Sequence, residues 1–203
     1  MEGINPVKII GVGLTKTGTT SLGDALRHWG YKHCSLHREA FAAHKAGNIA
    51  EVLRYAGEYE SYEDWPWNMA FKELDAQFPG SKFILTMRST PEMWFDSLCK
   101  HSERTGYIGY REFYYGYEMP HQHRAHFLEF YEKRNQAVRD YFAHRPNDFI
   151  ELCWEKGQGW KELAEFLGRE DIPTIPFPHS NQRPPKRTLL ERVQGRLKRI
   201  LKK

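Results

Sequence analysis

The sequence has no apolar run long enough to span a membrane, and its first residues lack the pattern of a secretory signal peptide. Cysteine is scarce as well, because the 203 residues include only Cys34, Cys99 and Cys153, which are far apart and without C-x-x-C spacing. These absences argue against a membrane-spanning protein, a disulfide framework and a zinc site. They predict free thiols in a reducing cytoplasm.

Charge of one sign is also lacking over most of the chain. The formal net charge is +4, but residues 186–203 carry eight Lys or Arg against one Glu, a net charge of +7, which leaves about −3 for the rest. A mildly acidic body argues against a nucleic-acid-binding surface. The length predicts one domain over residues 1–181, followed by a tail over 182–203.

The tail combines basic residues with an apolar stripe at helical spacing. This pattern is typical of a helix that lies on an anionic membrane surface or docks on a partner, and packing of the stripe on the domain is the alternative. The stripe consists of Leu189, Leu190, Val193, Leu197, Ile200 and Leu201. Nothing in the sequence indicates an oligomeric state.

The most informative stretch runs from residue 7 to residue 29. A β-branched apolar run predicts a buried strand, and glycines with three following hydroxyl residues predict a loop and a helix start. Such a strand–loop–helix unit is an anion site, because several N–H groups and the helix dipole point at one spot. Lys16 adds a positive charge inside the loop.

The position of this lysine separates the known kinds of phosphate loop. The nucleoside-triphosphate loop has lysine directly after its second glycine, where this chain has Thr19. The lysine of this chain lies two residues before Gly18 instead. The G-x-G at Gly11 to Gly13 lacks the third glycine of a dinucleotide site, because Lys16 stands there. A nucleotide kinase or NTPase is therefore kept only as an alternative function.

Residues 16–22, with the sequence Lys-Thr-Gly-Thr-Thr-Ser-Leu, resemble the 5′-phosphosulfate loop of sulfotransferases. The resemblance implies that 3′-phosphoadenosine 5′-phosphosulfate (PAPS) is the co-substrate, that adenosine 3′,5′-bisphosphate (PAP) is the product, and that no metal is needed. It implies a catalytic role for Lys16 at the leaving oxygen. The implied cofactor-binding residues of this loop are Thr15, Lys16, Thr17, Gly18, Thr19, Thr20 and Ser21.

A second unit begins with a predicted strand over residues 82–88 that ends in Arg88 and is followed by a helix carrying Ser97. Arginine offers a planar fork of donors to phosphate oxygens, and serine adds a hydroxyl. The unit resembles the 3′-phosphate motif of the same family, with a spacing one residue longer than in its cytosolic steroid and phenol enzymes. An arginine that caps its own sheet edge is the alternative.

A third block lies near the end of the presumed domain. Residues 159–168 and 176–181 resemble the closing segment of a bacterial-type branch of the sulfotransferase family. The glycine-rich turn before it lies near the nucleotide in that branch. The resemblance therefore makes Lys156 a candidate for binding the 3′-phosphate, with Lys161 as its rival.

These blocks predict an α/β fold, with helices on both sides of a central, mainly parallel sheet in three layers and a P-loop-like strand–loop–helix unit. Further strands are expected within residues 30–35 and over 147–154, and a loop over 58–67. The Tyr-rich stretch 101–120 is interpreted either as a lid or substrate wall, or as an aromatic core under a long connection.

Transfer of a sulfuryl group to a hydroxyl or amine also needs a base. Asp64 is favoured, because family members often line the acceptor pocket at this loop, and His33, His37 and His101 are rivals. The acceptor is expected to be a small molecule or glycan, since aromatic side chains here suit a ring or a sugar face. These aromatic side chains are Trp65, Trp67, Tyr107 and Tyr110. A non-catalytic family member is the remaining alternative.

Overall fold

A five-stranded sheet, in which every pair of neighbouring strands is parallel, forms the centre of the computed structural model, which describes residues 7–180. The strand order is β2-β3-β1-β4-β5. The strands are β1 Ile9–Gly11, β2 His33–Cys34, β3 Ser61–Tyr62, β4 Lys82–Thr86 and β5 Phe149–Leu152. The prediction of an α/β fold with a parallel sheet is confirmed. The tail predicted over residues 182–203 lies outside the described residues.

Eight α-helices connect and flank these strands within residues 7–180. They are α1 Thr19–His28, α2 Arg38–Lys45, α3 Ile49–Gly57, α4 Phe71–Gln77, α5 Pro91–Thr105, α6 Tyr110–Tyr115, α7 Arg124–Phe142 and α8 Trp160–Leu167. No helix in this range is long and apolar enough to cross a membrane.

Side chains along the central strands point alternately to the two faces of the sheet, and helices pack on both faces. Ile9 and Ile84 pack with the apolar faces of α1 and α8. Ile10, Phe83 and Leu85 point the other way and pack with α2, α3, α4 and α7. Because successive strand residues face opposite sides, a strand that is buried on both faces has a continuous apolar run in its sequence. The three-layer arrangement follows from this.

A separate aromatic core lies beside the sheet and packs on the loop after β1. It joins residues of α5, α6 and α7 to Leu14 and Trp65, and its central side chain, Tyr115, is 1% exposed. The Tyr-rich stretch 101–120 is thus partly helical and partly core. Tyr107 is its most exposed aromatic side chain, at 72%.

The prediction of a loop over residues 58–67 is wrong at its centre, because β3 lies there. Ser61 pairs with Ile9 of β1 and with His33 of β2, so this short strand bridges two others. Two residues are too few for the period-2 pattern that identifies a strand in a sequence. Its place in the sheet is set by partners that are distant in the chain.

The sheet topology brings several chain segments to one edge. The chain moves from the central β1 to β2 and β3 on one side, and then to β4 and β5 on the other. In open parallel sheets, ligands bind outside the carboxyl ends of the strands at such a switch point. The segments that follow β1, β3, β4 and β5 therefore converge there, and they contain Lys16, Asp64, Arg88 and Glu155.

Candidate active site

The loop between β1 and α1, residues 12–18, offers a cluster of free backbone donors. Within residues 7–180, the N–H groups of Thr15, Lys16 and Gly18, and those of the first three residues of α1, donate no hydrogen bond. By contrast, the Thr17 N–H donates to the Leu14 carbonyl and closes the turn. Unpaired N–H groups at a helix N-terminus carry partial positive charge and bind anions.

Lys16 occupies a backbone conformation that is unusual for its residue type. Its φ is 73°, in the left-handed region where a side chain costs roughly 1–2 kcal/mol. Its side chain is half-buried, and burial, followed by the nearby charge of Arg104, lowers the pKa of its ammonium group. Local strain of this kind concentrates at functional sites, where the surrounding structure maintains it.

Hydroxyl groups hold the loop against the end of β4. The Thr17 hydroxyl donates to the Leu14 carbonyl at 2.6 Å, so the Thr86 hydroxyl, 2.7 Å away, must donate to Thr17. Thr17 is fully buried, and its side chain therefore shapes the loop. Gly13 is confined here, since a Cβ at this position would come within 2.1 Å of Thr86 Oγ1.

Aromatic side chains hold the loop from three further directions. Trp94 Nε1 donates to the Thr15 carbonyl at 2.9 Å, and the Tyr115 hydroxyl is 2.9 Å from the Thr15 hydroxyl. Trp154 Nε1 donates to the Gly18 carbonyl at 3.0 Å. These braces fix the free N–H groups in place before any ligand arrives, and no local sequence signal pointed to them.

Replacing Gly13 with alanine is expected to destabilise the fold by about 2–4 kcal/mol, because the new methyl group would overlap backbone and side-chain atoms of Thr86. The measurement is the midpoint of urea unfolding. Gly57→Ala is the matched control, since no atom lies within 4 Å of its Cβ position. Equal midpoints for the two variants would show that the loop shifts to accommodate the methyl group at little cost in stability.

A cavity of about 370 Å³, here called the arginine cavity, opens on one side of the loop. Its walls come from the loop and α1, from the end of β4, from the turn after β5, and from the extended segment after α8. They are formed by Thr17, Gly18, Ser21, Met87, Arg88, Trp154, Glu155, His179 and Ser180. The structure brings the predicted binding residues Arg88, Gly18 and Ser21 into one wall. That wall also contains Trp154, Glu155, His179 and Ser180, which the sequence did not single out as binding residues.

Arg88 is held by a carboxylate in the arginine cavity. Its Nη2 lies 2.6 Å from Glu155 Oε1, while the backbone N–H and the hydroxyl of Ser89 both donate to Glu155 Oε2 at 2.8 Å. Arg88 Nε is buried and has no hydrogen-bond partner among residues 7–180. A buried donor without a partner is costly, so this guanidinium has capacity left for a ligand oxygen.

The other two residues predicted to bind the 3′-phosphate are placed less directly. Ser97 lies half-buried in the second turn of α5 and is not part of the arginine cavity wall. Lys156 is exposed on a single 3₁₀ turn, Trp154–Lys156, whose first two residues do form that wall. Both roles stay predictions. The sequence signal that would have pointed to Glu155 is its position three residues after the end of β5, in the turn on the ligand side of the sheet.

A second cavity, of about 360 Å³, opens on the other side of the loop and is here called the lysine cavity. It joins Lys16 to Asp64, so the structure brings the two residues predicted to be catalytic into one space. Its walls are formed by Thr15, Lys16, Thr19, Thr20, Leu36, Arg38, Asp64, Trp65, His101, Arg104, Ile108, Tyr110 and Arg111. Of the aromatic residues predicted for the acceptor pocket, Trp67 is instead core, and Tyr107 is absent from this wall.

Asp64 has an electrostatic environment suited to a proton acceptor. Burial, and then the neighbouring carboxylate of Glu63, raise the pKa of Asp64 to about 8, although Lys16 and the Trp65 N–H act in the opposite direction. The Trp65 N–H donates to Asp64 Oδ1 at 3.0 Å. Like Lys16, Asp64 has a left-handed backbone, with φ of 70°. A base works best when its pKa is near the working pH.

The three rival histidines are less suited to accept a proton from an acceptor. His33 and His37 do not line the lysine cavity; His37 Nδ1 accepts the Ala40 N–H and caps α2. His101 does line it, but its Nδ1 lies 3.0 Å from Arg104 Nη2, which can only donate. The proton of the neutral ring is therefore on Nε2. Burial, with the charges of Lys16 and Arg104, lowers the pKa of His101 to about 4.

Metal chemistry was not expected from the sequence, and that expectation stays a prediction. Among residues 7–180 there is no group of three or more His, Cys, Asp or Glu side chains placed to share a metal ion. The loop itself offers its N–H groups and Lys16 to an anion, and the arginine cavity offers Arg88.

Two comparisons with known proteins bear on the site. Residues 8–110 and 107–184 match the protein family described as "Sulfotransferase domain". The chain is also similar to Ava biosynthesis cluster protein M of Aspergillus versicolor, with 26% identity over 217 residues, which cover 85% of this chain and 80% of that protein. The family match includes the loop, Asp64, Arg88 and the turn after β5.

Proposed function

Because the chain belongs to the sulfotransferase domain family, we propose that it transfers a sulfuryl group from PAPS to a hydroxyl or amine of a small-molecule or glycan acceptor. The arginine cavity would hold the nucleotide with its 3′-phosphate, and the lysine cavity would hold the acceptor. The observation that carries this proposal is the loop itself, which presents free N–H groups and Lys16 between the two cavities.

The residues of the site fit a nucleotide with phosphate groups at both ends. The loop supplies rigid donors for the 5′ group, with Thr19, Thr20 and Ser21 at the start of α1. Arg88 supplies a guanidinium with a buried Nε that lacks a partner among the described residues. Ser97 and Lys156 stay only predicted contributors to the 3′-phosphate site, since neither lines the arginine cavity.

PAPS supplies an activated sulfuryl group, whose bond to the phosphate oxygen breaks as the bond to the acceptor oxygen or nitrogen forms. Negative charge then builds on the phosphate oxygen that leaves. Lys16 is positioned at the loop to stabilise this charge, together with the N–H groups, and such fixed donors are usually the largest single contribution to catalysis. The acceptor proton passes to Asp64.

Thermal unfolding with PAP tests the proposed function directly. PAP at about 100 times its Kd should stabilise the folded protein by about 2.7 kcal/mol, which raises Tm by several degrees. Adenosine 5′-monophosphate, which lacks the 3′-phosphate, is the matched ligand control and should give a smaller shift. Stabilisation by ATP with magnesium and none by PAP would contradict the proposal and favour a nucleotide kinase or NTPase.

The ion pair between Arg88 and Glu155 predicts opposite effects of two substitutions on nucleotide binding. Arg88→Gln should weaken PAP binding by about 10–100-fold, because it removes charge-assisted hydrogen bonds to phosphate. Glu155→Gln should strengthen it several-fold, since the amide oxygen can still accept from Ser89 while Arg88 is released. Isothermal titration with PAP measures both. A weaker affinity of Glu155→Gln would show that the carboxylate positions Arg88 for the ligand.

A further inference from the structure

The walls of the lysine cavity carry more positive charge than sulfuryl transfer requires. Four cationic side chains line it, Lys16, Arg38, Arg104 and Arg111, against the single carboxylate of Asp64. A cluster of like charges in a half-enclosed space is unfavourable unless anions offset it.

Arg111 makes its hydrogen bonds within the folded protein. Its Nη2 lies 2.8 Å from Glu118 Oε1, its Nε donates to the Glu118 carbonyl, and its Nη1 donates to the Thr105 hydroxyl. Only 1% of this residue is exposed. Arg111 therefore anchors the segment between α5 and α6 and has little capacity left for a ligand.

Arg38 and Arg104 are different, because neither pairs with a carboxylate among residues 7–180. Arg38 is the first residue of α2, and Arg104 is in the last turn of α5, so two separate elements bring them to one cavity. Both are exposed, which places them towards the solvent side of its wall. Arg104 also lowers the pKa of Lys16 and of His101.

When PAPS is bound, Arg38 and Arg104 are still left without an anionic partner in the described part of the chain. A sulfonate brings one negative charge, which Lys16 and the loop N–H groups meet. The wall also has an apolar and aromatic part, formed by Leu36, Trp65, Ile108 and Tyr110. Such a wall suits a ring, and a pair of arginines at its edge suits an oxyanion, because guanidinium groups form paired hydrogen bonds with carboxylate, phosphate and sulfate.

We infer that the acceptor is a ring compound with an anionic group of its own, which Arg38 and Arg104 bind while Trp65 and Tyr110 contact the ring. This inference rests on the proposed function and defines the chemical class of its acceptor. The hydroxyl that receives the sulfuryl group then faces Lys16 and Asp64. The arginine pair acts as a specificity-determining element, separate from the groups that act on the reacting atoms.

Matched acids and esters test the inference. The probes are 4-hydroxybenzoate, 3-hydroxybenzoate and 4-hydroxyphenylacetate, each with its methyl ester, and isothermal titration measures their Kd with and without PAP. At least one acid should bind about tenfold tighter than its ester. Arg38→Gln/Arg104→Gln should abolish that difference and leave PAP binding unchanged. Arg54→Gln is the control, because Arg54 is exposed on α3 and pairs with Glu51 and Glu58.

Several results would overturn the inference. The first is equal binding of acids and esters by the unmodified protein, and the second is an acid preference that survives the double substitution. The third is that no acid binds measurably at a concentration of about 10 mM although PAP binds. Failure of PAP to stabilise the protein contradicts the proposed function instead. The titrations without PAP compare the Kd of each acid with that of its ester. They therefore test the arginine pair separately from nucleotide binding.

Discussion

Lys16→Ala should reduce sulfuryl transfer by about 10²–10³-fold, which is the typical effect of removing one donor that stabilises charge in a transition state. The ammonium group is the only side-chain cation of the loop between β1 and α1. Its loss should lower kcat far more than it weakens PAP binding, because the loop N–H groups remain. Release of PAP from labelled donor, in the presence of an acceptor mixture, measures the change.

Lys16→Gly provides an internal comparison for this substitution. It also removes the ammonium group, but glycine adopts the φ of 73° without strain. Lys16→Gly should therefore be more stable to urea than Lys16→Ala by about 1 kcal/mol and equally inactive. Lys100→Ala, at an exposed site on α5 outside both cavities, should behave as the unmodified protein. Undiminished turnover by Lys16→Ala would refute the catalytic role.

Asp64→Asn should lower turnover by about 10²–10⁴-fold, the usual contribution of a positioned base. Asparagine keeps the size of the side chain and tolerates the left-handed backbone at this position. In the unmodified protein, activity should rise with pH through about 8, because Asp64 accepts a proton only when it is ionised and its pKa is about 8. Asp64→Asn should lose this dependence. A profile that rises near pH 4 instead would point to His101.

The raised pKa of Asp64 also predicts a change of stability with pH. Its pKa is about 8 in the folded protein against an ordinary value of 3.8, so the folded state retains the proton more strongly than the unfolded state. Its contribution to stability is complete below pH 3.8 and is lost as pH rises through 8. Relative to the unmodified protein, Asp64→Asn should therefore gain at least about 1 kcal/mol between pH 5 and pH 9.

Urea unfolding at both pH values measures this gain. The control is Asp96→Asn, since Asp96 is exposed on α5 and its substitution should show no such gain. A gain in stability combined with a loss of turnover would identify Asp64 as a residue retained for chemistry at the expense of the fold. Equal unfolding free energies at pH 9 would show that solvent reaches the carboxylate.

Local patterns were sufficient wherever an element is long or bounded by strong signals. The strand predicted over 82–88, for example, is β4 Lys82–Thr86, and the helix predicted to carry Ser97 is α5 Pro91–Thr105. The strand β3 was missed, because two residues carry no period of their own. Missing this strand affected the prediction of the site, since β3 places Asp64 beside the loop that follows β1.

The sequence by itself determined the glycine-rich loop, the parallel α/β fold and the arginine just after β4, because glycine spacing, apolar periodicity and strand ends are local properties. Only the tertiary structure decided that the loop lies between two cavities, that Glu155 holds Arg88, and that Arg38 and Arg104 share a cavity with Lys16. These are contacts between elements that are distant in the chain, and no local pattern encodes which charges will meet across a sheet edge.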